Sequence, residues 1–188
     1  MRSKLLAAVA LSLISGLSGA LGCGGDESSS SSTAAATSSS SGGTSGCFDY
    51  ASFDGTTPVV GFAADVLPIF QQSCSLSSAC HNNEAGTGGR PYMGTKNDVV
   101  PTAQQIQLIF DQNVGAMSVK EPDMAIVEPG DPERSFLMYK MDGVFDCPLL
   151  ECTAKNACGT KMPQGGPTLA QEQLDTVRRW IAQGAKND

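Results

Sequence analysis

Four stretches of the chain carry apolar residues at helical spacing, and long polar segments rich in glycine and proline separate them. In the first, Val66, Leu67, Ile69 and Phe70 follow Asp65, which can cap the helix. Pro68 is tolerable there, because a first turn does not need its missing N–H. This helix delivers Cys74 at its C-terminal end. In the second, Thr102-Ala103-Gln104-Gln105 reads as a capping box ahead of Ile106, Ile109, Phe110 and Val114. The third is short. Asp131-Pro132 gives an N-cap followed by proline at the first helical position, and the helix runs through Phe136, Leu137, Tyr139 and Lys140 to Gly143. In the fourth, Thr168-Leu169-Ala170-Gln171 reads as another capping box, Leu174, Val177, Trp180 and Ile181 share one face, and Gly184 ends the helix. No segment reads confidently as a strand, and no unit repeats. The pattern predicts a small all-α domain with long loops.

The start of the chain lies outside this pattern. Arg2 and Lys4 precede an apolar, small-residue run from Leu5 to Leu21, which is the form of an export signal and not of a membrane span. Ala20-Leu21-Gly22-Cys23 resembles a bacterial lipobox, so residues 1–22 are expected to be a lipoprotein signal peptide. Cys23 would then become the acylated N-terminus, with several acyl chains holding the protein on the membrane. Gly24, in place of an acidic residue, points to the outer membrane, with the domain in the periplasm. Residues 23–46 are dominated by Ser, Thr, Ala and Gly; such a segment buries too little surface to offset its ordering entropy and is expected to be a flexible tether. Residues 47–60 are irregular and turn-rich. The folded domain is expected over 61–186, with a cysteine-rich insertion at 145–159.

Charge narrows the partners. Without Arg2 and Lys4, ten basic side chains face nineteen acidic ones, a formal charge of −9. That argues against nucleic acid and anionic phospholipid, and suits a basic protein partner. His81 is the one histidine, and there is no nucleophile elbow, so a hydrolase triad cannot be assembled. The chain is not expected to be an enzyme. A peroxidase-like reading is an alternative that lacks a clear distal acid–base residue.

The cysteines carry the candidate chemistry. Six remain after Cys23, and export permits disulfides. Cys147, Cys152 and Cys158 lie close together without a paired Cys-x-x-Cys or a histidine beside them, which favours disulfides over zinc. Cys147–Cys158 is favoured within the insertion because it needs only local closure, and Cys47–Cys152 then ties the domain's start to it. Cys74…Cys80-His81 has the ending of a c-type haem attachment motif, in which each thiol adds to a vinyl group and the histidine ligates iron. Five residues stand between the cysteines where two are usual. The alternative is a local Cys74–Cys80 disulfide in a haem-free, disulfide-stapled interaction domain. A second axial ligand is best sought in Met162, held in a loop by Pro163; Met117 and Met124 are rivals, while Met138 and Met141 read as packing. Leu67, Ile69, Phe70, Ile106, Phe110 and Trp180 are the expected walls of the cleft. The glycine-rich run 82–91 follows no strand and lacks a phosphate-loop lysine; it reads as an ordinary surface loop or as one wrapping a bulky flat group.

Several of these pieces occur together and in order. The stretch 65–70 with Cys74…Cys80-His81, the run 127–135, Met162-Pro163, and the close from Leu174 through Trp180 to Ala185 resemble the cytochrome c-like domains of exported lipoproteins of the myxobacterial and planctomycete type. The resemblance implies one covalent haem c on Cys74 and Cys80. It implies His81 as proximal ligand, Met162 as distal ligand, and electron transfer to a redox protein partner in the cell envelope. The five-residue spacer and the cysteine-rich insertion depart from that pattern.

Overall fold

A computed structural model describes residues 46–86, 89–152, 158–166 and 168–188. Cys23, the signal peptide and nearly all of the tether lie outside the described residues. Among the described residues there are four α-helices: α1 Leu67–Ser73, α2 Ala103–Asn113, α3 Phe136–Asp142 and α4 Gln171–Ala182. There is no strand among the described residues; isolated bridges tie Val114, Met117, Ala125, Val127 and Ser135 together. No described helix is long and apolar enough to cross a membrane.

The helix starts differ from the sequence reading in three of four cases, each for a local reason. A single π-turn, Phe62–Val66, precedes α1, so the helical path begins before Asp65. Asp65 does cap, but backwards, accepting the Gly61 N–H at 2.9 Å. Helix α2 has the full capping box: Gln105 N donates to Thr102 Oγ1 at 3.2 Å, and Thr102 N donates to Gln105 Oε1 at 2.9 Å. Helix α3 starts at Phe136, not at Pro132. Its first N–H groups donate across the fold to Ala125 O and Ile126 O, each at 2.9 Å, so they need no cap from Asp131. Asp131 instead closes a turn by accepting Arg134 N at 3.0 Å. Helix α4 starts after Ala170, whose methyl side chain offers no acceptor. Only the return half of the box exists, Ala170 N to Gln173 Oε1 at 2.9 Å.

Phe62 is the centre of the main core. It is fully buried, with ring centroids 4.7 Å from Phe110, 5.5 Å from Trp180 and 6.3 Å from Phe70. These contacts bind the segment before α1 to α2 and α4. The C-terminus closes the same seam: Phe62 N donates to Asp188 Oδ1 at 3.0 Å, and Trp180 Nε1 donates to Lys186 O at 2.9 Å.

A second, smaller core lies under the cysteine-rich segment, where Met124, Phe136 and Tyr139 meet Cys147 and Cys158. The disulfides are Cys47–Cys147 and Cys152–Cys158, with Cα–Cα separations of 5.7 and 5.6 Å, in the range a disulfide spans. This corrects the favoured pairing of Cys147–Cys158 and Cys47–Cys152. Cys147 faces Cys47 at the edge of the second core, which leaves Cys152 and Cys158 to close their own short loop. Arg178 secures the same side. It is 1% exposed, ion-paired to Asp142 of α3 and, at 2.6 Å, to Asp175, and its guanidinium lies 3.7 Å over the Phe48 ring.

Three outcomes follow from this packing. Non-reducing peptide mapping should recover Cys47–Cys147 and Cys152–Cys158, with Cys74 and Cys80 alkylated as free thiols. By loop-closure entropy, losing the first bridge should cost roughly 4–5 kcal/mol and losing the second about 2 kcal/mol, measured as denaturant midpoints of the paired Cys→Ser variants. Asp142→Ala strips Arg178 of one partner while the guanidinium stays buried, and should destabilise by about 3 kcal/mol in the same measurement.

Candidate ligand-binding cleft

Helix α1 stops at Ser73, and the chain folds back on itself. Cys74 N and Ser75 N both donate to Phe70 O, at 2.8 and 2.9 Å. His81 N then donates to Cys74 O at 3.1 Å, so residues 76–80 bulge outward while the backbones of Cys74 and His81 are held side by side. Cys80 N is bound to Ser77 O at 3.0 Å, and Ser77 Oγ donates to Cys80 Sγ at 3.4 Å. Cys74 and Cys80 are free thiols in the structure. Burial, with Cys80 adding, pushes the Cys74 thiol up to about 12, so it is not a thiolate at neutral pH and not an activated nucleophile.

His81 is fixed by its Nδ1, which lies 2.8 Å from Pro91 O. A carbonyl only accepts, so geometry assigns the proton to Nδ1 and leaves Nε2 as an acceptor. Burial lowers the imidazole's pKa, the nearby Arg90 and Lys140 lower it further, and the Pro91 carbonyl opposes them. The ring is therefore neutral at pH 7. Met93 N donates to His81 O at 2.9 Å and Arg90 Nη1 donates to Ala79 O at 2.6 Å, which ties the 89–93 segment to the bulge.

Between these segments, the 116–120 loop, α3 and the 158–164 loop lies a cleft of about 640 Å³. Cys74, Cys80, His81 and Met162 all line it, brought together from sites far apart in sequence. Met162 is positioned through its N–H, which donates to Lys140 O at 2.7 Å. Of the rival methionines, Met117 lines the cleft and Met124 is buried in the second core instead. The expected walls are wrong. Leu67, Ile69, Phe70, Ile106, Phe110 and Trp180 do not line the cleft; all six belong to the packing around Phe62. The apolar lining comes instead from Met93, Ile126, Phe136, Leu137, Met141 and Leu169.

Arg90, Lys120 and Lys140 also line the cleft, and sequence reading passed over all three. Lys140 had a usable signal. It stands three residues after Leu137 and four after Phe136, so it shares their helix face. Arg90 and Lys120 sit in loops, where no periodicity marks them.

Ligand atoms of Glu121, Cys152 and Cys158 lie within 4.8 Å of one another. Glu121 is buried, its Oε2 is 3.1 Å from Cys152 Sγ, and burial raises its carboxyl pKa. The two sulfurs are bonded to each other, so only the dithiol form could offer three ligands to a divalent cation.

No family model, no curated protein and no solved structure matches this chain. The resemblance to c-type cytochromes is thus not upheld. Among the described residues the cluster of His, Cys, Asp and Glu groups able to hold a metal is Glu121 with Cys152 and Cys158, and His81 is not in it. The assignment of a covalent haem c on Cys74 and Cys80 with His81 and Met162 as axial ligands is withdrawn, and with it the electron-transfer role.

The His81 environment has a measurable consequence. Its titration, followed by NMR of the ring protons, should have a midpoint below the ordinary imidazole value of about 6.5. The folded state then binds fewer protons than the unfolded state between the two values. Stability should accordingly fall as pH drops below about 6.5, and His81→Gln should flatten that part of the profile.

Proposed function

We propose that the folded domain is a disulfide-stapled binding module that holds an apolar small molecule, carried on an exported, lipid-anchored chain. The observation that supports this best is the cleft. Its volume of about 640 Å³ falls in the range of small-molecule sites, and thioether, aromatic and aliphatic side chains supply most of its lining. The module is read as a binding protein and not as an enzyme: the Cys74 thiol is protonated and His81 is tied to a carbonyl. Residues 1–22 would direct export, Cys23 would take the lipid, and 23–46 would let the domain reach away from the outer membrane into the periplasm.

The test uses the mature chain exported behind a non-lipoprotein signal, so that no acyl group competes for the cleft. Titration with the neutral dye N-phenyl-1-naphthylamine should give a saturable, blue-shifted emission at one dye per chain. Ala116→Trp, which projects bulk into the lining, should abolish it while near-UV circular dichroism stays native. Saturable binding that survives in that variant, or no binding to the native chain, overturns the reading. Haem retained covalently after acid–acetone washing would overturn it as well.

A further inference from the structure

The charge of the cleft is opposite to that of the chain. Acidic residues outnumber basic ones nineteen to twelve in the whole sequence, yet among the described residues the cleft is lined by Arg90, Lys120 and Lys140 and by no Asp or Glu. The three cations are linked through their neighbours in the cleft. Arg90 and Lys140 both act on His81, and Lys120 acts on Lys140. Their partners leave charge to spare. Arg90 donates through Nη1 to the Ala79 carbonyl, and Lys140 donates through Nζ at 2.7 Å to the Cys158 carbonyl. Both acceptors are neutral. The two ion pairs among the described residues both belong to Arg178, so none of these cations is neutralised by a described carboxylate.

Lys140 is half-buried and partly desolvated, while Arg90 and Lys120 stand exposed at the rim; a desolvated cation without counter-charge is unfavourable alone, and a bound anion relieves that cost. The mouth is apolar as well: Leu76, Met117 and Val119 are 49%, 55% and 67% exposed there. We infer that the ligand is an organic anion, an apolar body seated against Met93, Ile126 and Leu137 with an acidic head group held by Arg90, Lys120 and Lys140. This rests on the binding-module reading above and adds the ligand's charge and orientation. Lys140 is the pivotal cation. Its Nζ lies over the Phe136 and Phe145 rings, 5.9 and 5.1 Å from their centroids, and donates to Cys158 O, so the ammonium is held at the cleft wall. His81 adds a neutral acceptor on the same wall, which suits a ligand carrying a hydroxyl or amine beside its acid.

A matched pair of dyes separates this inference from its premise. 8-Anilinonaphthalene-1-sulfonate has the same aromatic skeleton as N-phenyl-1-naphthylamine plus one sulfonate. On the mature, non-acylated chain the anionic dye should bind at least about tenfold tighter, the difference expected of one charge-assisted contact in a partly buried site. That advantage should shrink as salt rises, while the neutral dye's affinity should not fall. Arg90→Gln/Lys120→Gln/Lys140→Gln should lose the advantage and keep the neutral dye. Lys140 also braces Cys158, so Lys120→Glu serves as the second variant: its side chain is exposed, and the change should lower anionic-dye affinity alone. Equal affinity for the two dyes overturns the inference and leaves the binding module standing. Failure of both dyes overturns both. An advantage that persists in the triple variant removes these residues from the site.

Discussion

The packing of Phe62 against Phe70, Phe110 and Trp180 is the constraint from which the rest follows. These four rings come from the π-turn before α1, from α1, from α2 and from α4, and each is edge-on or tilted to its neighbours. Aromatic rings dominate burial energetics, and such pairs add about 0.5–1.5 kcal/mol each beyond the area they bury. Having met one another, they are no longer available to line a cavity. The strongest apolar side chains of α1 and α4 are thus spent on joining the ends of the domain. The cleft must form from what remains, which is loop methionines, one face of α3 and the stem ends of basic residues.

That division explains the staples. The second core is small, and of its residues only Phe136, Tyr139 and Met124 are large and buried. A cluster of that size cannot by itself hold the 144–166 region to the body of the domain. The Cys47–Cys147 disulfide does so instead, beside the buried Arg178, while Cys152–Cys158 closes a short loop within the region. Cys47–Cys147 joins the first described residues to the far side of α3, and Arg178 reaches from α4 to Asp142 and under Phe48. Because the 158–164 loop supplies Met162 and one wall of the cleft, the covalent links on its flank are also what shape the cleft.

The helices were legible in the sequence because each has a clear apolar face at helical spacing. Their starts were not, and the reason differs by helix. Capping arguments assume that first-turn N–H groups look for local partners. In α3 they find Ala125 O and Ile126 O, contacts between segments that no local pattern announces. The disulfide pairing failed similarly. Local closure favours Cys147–Cys158, but closure is cheap at many lengths, and the position of Cys47 beside Cys147 is a tertiary fact. Cys74, Cys80, His81 and Met162 line one cavity, and the haem chemistry that the resemblance attached to them does not stand. The six residues chosen as walls were chosen for being apolar and helical. Those are the properties that sent them into the core instead.

The five residues between Cys74 and Cys80 can be understood without reference to any attached group. The bond from His81 N to Cys74 O closes a loop that a two-residue spacer could not span in the same way, and it leaves Leu76 projecting at the cleft mouth. The same closure sets His81 against Pro91 O, which fixes its tautomer, while burial, with Arg90 and Lys140 adding, keeps the ring uncharged against the pull of that carbonyl. A protonated imidazole there would add a fourth positive charge to a wall that already has three. The neutral ring adds an acceptor instead. The loop thus contributes an apolar lip, a buried thiol and a hydrogen-bond acceptor to a cleft whose charged groups are cationic donors. Backbone hydrogen bonds at Cys74, Cys80 and His81 hold the thiol and the imidazole in place, so in the proposed binding role little ordering would remain to be done and more of the contact energy would be retained as affinity.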